Sequence, residues 1–418
     1  MARTFTPRDA HALMNELLKQ ATGQKAIAVV DASTFVSAGE LVLATGMENV
    51  FNALNIVLNR LIVASRPYNA KMRIVGAKEV GAYSNRARKI SFYSQFALPD
   101  GSHNTQLYTN LADGYTSGNN GGASTKSQWE QHKPMPLEMN FGGSSVWQHC
   151  ITQYEDAIKI AFRSEAEFAQ FVAGYMQEHA NDIAQVQEGF YRMTLLNRMA
   201  MTYDMAADMP GSLVDLTSAF NTFYGTSYTG AQLRSTYLKE FLAFMTATIK
   251  EYSDFMTERT AKYHWAVPKT VGGDTYAILR HTPKDRQKLV LYTPLFNKAQ
   301  ALVLPEIFNP QYLSIDNYEG VTFWQAKSNR MGINITPAII EADPTDPDYG
   351  KQKAGTAVAL DYVVGALFDD DSVLAEMQLD TARSTPVEAR KGYRNTWNTF
   401  VKNAISDPTE NFILFYMG

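Results

Sequence analysis

The stretch Ser164-Glu165-Ala166-Glu167-Phe168-Ala169-Gln170-Phe171, with the residues that follow to Asp204, decides how the rest of this 418-residue chain is read. Ser164 and Glu167 make a capping box: the serine accepts from the third helical N–H, and the glutamate reaches back to the cap. Apolar residues then recur at Phe168, Phe171, Val172, Tyr175, Met176, Ile183, Val186, Phe190, Met193 and Leu196, mostly three or four apart. That is helical period, and Phe168, Phe171, Tyr175, Val186 and Phe190 are its expected core side. No proline lies between Pro136 and Pro210 to break it. About forty residues make a rod of roughly 60 Å, against about 10–14 residues for an ordinary helix. Without a strict heptad it reads as a spine on which other parts hang.

Working outward from the spine, Thr6-Pro7-Arg8-Asp9 starts a helix with a cap, a first-position proline and an early acid. Its stripe is Ala10, Leu13, Met14, Leu17 and Ala21, and Gly23 ends it. Residues 24–44 lack a sustained stripe and are expected to be an extended arm. Thr45-Gly46-Met47-Glu48 is expected to cap a second helix, carrying Met47, Val50, Phe51, Leu54, Val57, Leu58 and Leu61 on one face. In 68–145 the period becomes two: Ile90, Phe92 and Phe96, then Met135, Leu137, Met139 and Phe141. A Gly/Asn/Ser/Thr-rich tip, including Gly118-Asn119-Asn120-Gly121-Gly122, joins the two runs into a long hairpin. A lone hairpin is marginal in water, so this arm must lie on something, most economically a neighbouring subunit.

After the spine, Thr229-Gly230-Ala231-Gln232 is a second capping box. The helix it opens is expected to bury Leu233, Tyr237, Phe241, Met245, Tyr252, Phe255 and Met256. From Trp265 the pattern turns to strands: Leu289 to Tyr292, Val321 to Trp324, Ile333 to Ile340, Thr356 to Phe368, Val373 to Leu379 and Phe412 to Met417. A basic aromatic stretch surrounds Gly392 to Trp397.

Composition excludes several classes. Hydrophobic residues are 45% and charged residues 19%, as in a globular protein. No apolar run approaches the ~18 residues of a membrane span, and the first residues show no secretory h-region. A single cysteine, Cys150, rules out an internal disulfide framework. A net charge of −4 argues against a dedicated nucleic-acid binder. Twenty-two Tyr and 22 Phe point to extensive buried contact, within or between chains.

No catalytic constellation stands out. His149-Cys150 pairs a base with a nucleophile, but adjacent residues rarely face each other and no nearby acid orients the histidine. Asp369-Asp370-Asp371 reads as a solvated turn, and the loop Asp343 to Asp348 lacks the alternating ligands and final Glu of a calcium loop. Neither glycine pair, Gly142-Gly143 nor Gly272-Gly273, fits a phosphate loop. No cofactor or metal is expected, and the chain does not read as an enzyme.

Charge is more informative. From Asn59 to Ser94 there are eight bases (Arg60, Arg66, Lys71, Arg73, Lys78, Arg86, Arg88, Lys89) and one acid, Glu79. From Glu165 to Glu188 there are five acids (Glu165, Glu167, Glu178, Asp182, Glu188) and no Lys or Arg. Two solvated faces are one reading. The other lays the hairpin of one subunit on the spine of the next.

The sequence resembles the major capsid proteins of tailed double-stranded DNA bacteriophages, with the Hong Kong 97-type α+β fold, and among them the short-tailed phi-29-like group. The resemblance rests on the order of parts, on Ala161-Phe162-Arg163-Ser164-Glu165-Ala166-Glu167-Phe168-Ala169-Gln170-Phe171, and on the tail from Tyr393-Arg394-Asn395-Thr396-Trp397 to Phe412-Ile413-Leu414-Phe415. It implies an N-terminal helix and N-arm over 1–45, a peripheral-domain helix over 46–65 and an E-loop over 66–150. It further implies a peripheral domain with the spine over 151–211, an axial domain over 212–370 and a return to the peripheral domain over 371–418. It implies a virion protein, assembled in the host cytoplasm into hexamers and pentamers of an icosahedral shell around DNA. Expected partners are other copies of the chain, a separate scaffolding protein, a portal, decoration proteins and, non-specifically, packaged DNA; no membrane is expected. Lys126 and Lys133 lie in the loop, where some relatives cross-link, but no partner or catalytic acid is identifiable. The alternatives are an encapsulin-like compartment shell and, from another class, a soluble enzyme whose spine links domains.

Overall fold

A computed structural model of the chain describes residues 7–23, 29–46, 49–51, 53, 71–76, 86–94, 135–143, 145–163, 165–271, 274–295, 297 and 317–418. Its first elements are helices α1 (Pro7–Thr22) and α2 (Ala32–Ala44), strands β1 (Arg86–Phe92), β2 (Pro136–Gly142) and β3 (Ser145–Tyr154), and helices α3 (Glu155–Ala161) and α4 (Glu165–Asp204). Next come strand β4 (Leu213–Asp215) and helices α5 (Leu216–Tyr224), α6 (Gly230–Ser235) and α7 (Leu238–Phe255). Strands complete the chain: β5 (Lys269–Val271), β6 (Asp274–Tyr276), β7 (Gln287–Tyr292), β8 (Asn317–Val321), β9 (Ile333–Ile335), β10 (Ala338–Ile340), β11 (Gln352–Ala354), β12 (Val358–Leu360), β13 (Val363–Asp369), β14 (Val373–Ser384), β15 (Tyr393–Ser406) and β16 (Phe412–Tyr416). The chain divides into two compact units, each gathered from separated segments.

The first unit comprises 1–71, 144–190 and 377–403. Its core packs Met14, Leu17 and Leu18 of α1 against Phe35, Ala38 and Val42 of α2, with Ile158, Ala161, Phe162 and Phe168. The Phe168 ring is fully buried, 5.4 Å from both Phe35 and Phe162; burying such a side chain is worth about 1.5–3 kcal/mol. The expectation of an extended arm over 24–44 is corrected by α2. Asp31 Oδ1 accepts from Thr34 N at 2.8 Å, and the Asp31 N–H donates back to Thr34 Oγ1 at 3.0 Å. This is a reciprocal capping box closed by threonine instead of Glu or Gln. The N–H and hydroxyl of Thr34 hold the Asp31 carboxyl down at about 2. Thr45, expected to open the second helix, ends α2 as its C-cap. Of that second helix, 49–51 and 53 are helical and the rest lies outside the described residues.

Also in this unit is a sheet of order β14-β15-β3, with β15 antiparallel to β3 from Tyr393↔Tyr154 to Lys402↔Ser145. Gly392 turns into β15 at φ +58°, a conformation costly for residues with a Cβ.

The second unit comprises 72–143, 191–376 and 404–418. Its centre is a sheet of order β4-β16-β13-β7-β8, antiparallel except for the pairs β16–β4 and β7–β8. Strands β7 and β13 are buried along their whole length, as strands covered on both faces are. At Gly365 of β13 a Cβ would sit 2.5 Å from the Val290 backbone oxygen, so the close approach of β7 demands glycine. Helix α7 lies against this sheet through Tyr252, edge-on to Phe415 at 5.8 Å. At the sheet edge, Glu319 of β8 accepts from the N–H groups of Met72 and Ile74.

Here too some expectations are corrected. The Thr229 capping box forms with Gln232, but the helix it opens stops at Ser235 and α7 starts at Leu238; Phe255, the last residue of α7, is exposed. The run Ile333 to Ile340 is two strands, with Thr336-Pro337 between them, as Pro has no ladder donor. Asp369 is buried, not solvated: it accepts from Thr282 Oγ1 at 2.8 Å and from the Asp371 N–H at 2.9 Å. Its neighbours Asp370 and Asp371 pair with Lys288 and Arg286.

Candidate functional site

The hairpin forms as the alternation predicts, with β1 antiparallel to β2 in register from Arg86↔Gly142 to Phe92↔Pro136. Its sidedness differs from the sequence reading. Lys89, Ser91 and Tyr93 point inward, while Arg88, Ile90 and Phe92 point outward. Ile90 and Phe92 are 53% and 55% exposed. The tip, including 101–127 and the lysines Lys126 and Lys133, lies outside the described residues.

The inward face is anchored by an ionic network. Lys89 Nζ bonds the carboxylates of Asp407 and Glu410, and donates to Thr409 Oγ1 at 3.0 Å. Arg280 reaches Glu410 Oε1 at 3.1 Å and donates to Ser91 Oγ at 2.6 Å. Beneath them the fully buried Arg198 donates to the Glu410 carbonyl at 3.2 Å and to Thr202 Oγ1 at 2.8 Å, with its guanidinium 4.7 Å from the Phe412 ring. Burial lowers Arg198 to about 10, against the pull of Asp407 and Glu410, so it remains charged at neutral pH. Burial also pushes the Glu410 carboxyl up, opposed by Lys89 and Arg280. Nothing in the sequence marks Lys89 as the anchor: one base inside a basic run carries no local sign of acids more than three hundred positions away.

The other charged candidates are scattered. Arg88 pairs with Glu138 across the hairpin at 2.7 Å, both side chains substantially exposed. Arg73 is exposed. The Lys71 N–H donates to Glu188 Oε2 at 3.0 Å. Asp182 Oδ2 is 3.5 Å from His149 Nε2. Lys78 and the side chains of Arg86, Glu165, Glu167 and Glu178 lie outside the described residues. On α4, Phe168 is core, Val186 and Phe190 are half-buried, and Met193 is exposed at 45%. The Lys402 ammonium lies 5.5 Å from the Phe190 ring centre. The side chains of Phe171 and Tyr175 lie outside the described residues.

The pair His149-Cys150 separates as neighbours on a strand must, onto opposite faces. Burial raises the Cys150 thiol above its ordinary value, which disfavours the thiolate a nucleophile needs. An acid does reach His149, but it comes from α4, thirty-three positions on. Among the described residues no group of three or more His, Cys, Asp or Glu is placed to hold a metal ion, and no helix is long and apolar enough to cross a membrane.

No family model matches the sequence, and no curated protein matches it. Solved structures do match. A chain in the capsid structure of Staphylococcus phage Andhra aligns with a TM-score of 0.50 at 10% identity, over 82% of this chain and 83% of that one. The chain has the fold of a phage capsid protein. Chains from the structure of the head fiber and inner core protein gp22 of native bacteriophage P68 (TM-score 0.46, 10% identity, 82% and 83% covered) and from the mature capsid of bacteriophage PhiM1 (TM-score 0.42, 10% identity, 84% and 87% covered) match more loosely. Nothing in these likenesses singles out the phi-29-like group.

Proposed function

We propose that this chain is the major capsid protein of a tailed double-stranded DNA phage, assembling as hexamers and pentamers of an icosahedral head. The observation that carries the proposal is the fold shared with the Andhra capsid chain over most of both lengths. The hairpin supports it independently: its inner face is fixed by a partly buried ionic network, while its outer face presents Ile90 and Phe92 to solvent. In a Hong Kong 97-type shell this hairpin is the E-loop and α4 the spine. Scaffolding and portal proteins and packaged DNA are then the partners, and the virion is the location.

The inter-subunit reading sets Lys89 aside, because it is engaged within its own chain, and requires Arg88 to exchange Glu138 for Glu165, Glu167 or Glu178 of a neighbour. Exposed pairs are worth only about 0.2–1 kcal/mol each, so repetition across the shell and the apolar Phe92 contribute the rest.

The test is electron microscopy of the full chain co-expressed with its candidate scaffolding protein. Closed empty shells are expected. Arg86→Glu with Arg88→Glu and Phe92→Ser should leave a soluble, folded subunit that no longer closes shells. Shells that form normally from this triple variant but fail to retain DNA would move the bases to the packaged genome. A chain that stays monomeric under every condition would overturn the capsid reading in favour of a soluble enzyme, and scaffold-free shells loaded with protein cargo would favour an encapsulin-like compartment.

A further inference from the structure

Two histidines far apart in sequence meet in the first unit. His149 stands on β3 opposite Asn398 of β15. His179 lies on α4 and is 4% exposed. Their ring centres are 4.9 Å apart, with planes tilted by 31°. Asp182, nearly one helical turn beyond His179, brings Oδ2 to 3.5 Å from His149 Nε2. The Asn398 amide nitrogen, a donor, is 3.2 Å from His179 Nε2. His179 Nε2 therefore accepts, and its proton sits on Nδ1. The Nδ1 atoms of both rings are buried without a hydrogen-bond partner among the described residues.

Among the described side chains, few charged groups surround the pair. From α4 there is Asp182, and from β3 there is His149 itself, flanked by Trp147 at 5.7 Å. β15 offers the neutral Asn398; farther along it, Lys402 covers Phe190 and Arg394 stands opposite Gln153. Among the described side chains, one carboxylate thus faces two imidazoles.

We propose that His149, His179 and Asp182 form an acid-operated latch holding α4 to the three-stranded sheet. Asp182 balances one positive charge. A proton on each ring puts two cations within 5 Å of each other beside a single carboxylate, and it points an Nε2–H of His179 at the Asn398 donor. Burial first, and then His149, hold His179 down at about 4, with Asp182 opposing. The sign follows from linkage: the released ring takes its proton near the ordinary 6.5, the latched ring near 4. The latch is therefore fully closed above about 6.5 and is lost as pH falls toward 4. This role needs no shell, so it stands or falls separately from the capsid reading.

The experiment is hydrogen exchange on the full-length unassembled chain between pH 7.5 and 4.5, expressed as protection factors so that intrinsic exchange rates cancel. In the wild type, protection over 145–154 and 393–402 should fall at least about tenfold on acidification. His149→Gln removes the like charge and should shrink that fall. Asp182→Asn removes the balancing charge and should deepen it and extend it to lower pH. A merely structural role would not move the two variants in opposite directions. A flat wild-type profile, or variants that fail to move the profile in those opposite directions, overturns the latch.

Discussion

In the five-stranded sheet, β7 and β13 are buried from end to end and their middles are apolar: Leu289-Val290-Leu291 and Val363 to Phe368. In the three-stranded sheet, β15 instead buries Arg394, Thr396 and Asn398 beside Phe400. Its partner β3 adds Gln153, and α4 adds His179. Strands β7 and β13 keep their polar residues at or near their ends: Gln287 bonds Ser253 and the Thr282 carbonyl, and Asp369 bonds Thr282. The three-stranded sheet carries polar residues through its middle, where each must find a partner across the strands or on the helix. Apolar burial is non-directional and tolerates small shifts. A buried polar group without its partner costs about 1–3 kcal/mol. The first sheet is thus suited to be a rigid centre, and the second to be the one that responds to solvent conditions.

The comparison can be broken at three points. The largest effect should come from Phe368→Ala, which removes a fully buried ring stacked on Phe412 at 5.4 Å. A loss of about 3–5 kcal/mol is expected, seen as insoluble protein or a sharply lowered Tm. A soluble variant with nearly unchanged Tm would show that the five-stranded sheet is not the stabilising centre.

Next is the polar end of the same unit. His264 is buried, its ring nitrogens 2.8 Å from the Ile278 carbonyl and 3.0 Å from Asn411 Oδ1. Burial lowers it to about 4 from 6.5. Its contribution is complete above about 6.5 and is lost as pH falls, by about 3 kcal/mol on reaching pH 4. Denaturant midpoints measured from pH 7 to pH 4 should flatten in His264→Gln by that amount. An unchanged slope would mean that the acid response lies wholly elsewhere.

The smallest effect belongs to Asn398→Leu in the three-stranded sheet. It leaves His179 Nε2 without its donor, for a loss of about 1–3 kcal/mol, readable as a lowered Tm with the fold intact by circular dichroism. A stabilised variant would show that the polar centre of this sheet is dispensable.

These differences also explain what was legible in advance. The long helix over Glu165–Asp204 was readable because an amphipathic period repeats over many turns, and a long repeat outweighs local irregularity. The hairpin was readable from alternation, and β7, β13 and β16 from continuous apolar runs. Strand β15 was not: with Arg394, Thr396 and Asn398 facing inward, its alternation of apolar and polar residues is erased, and it looked like a basic aromatic stretch. α2 was missed because threonine takes the place of Glu in its capping box, and its stripe of Phe35, Ala38 and Val42 is short.

The sequence by itself determined which segments are helical or extended wherever hydrophobic period and capping chemistry agree, since both act within a few residues of the chain. The tertiary structure alone decided which face of the hairpin is anchored, that Lys89 meets Asp407 and Glu410, and that His149 meets His179 and Asp182. Such pairings join residues tens to hundreds of positions apart. A charge or an imidazole carries no record of its distant partner, because Coulomb attraction and hydrogen bonding specify partners only after packing has brought them within a few ångströms.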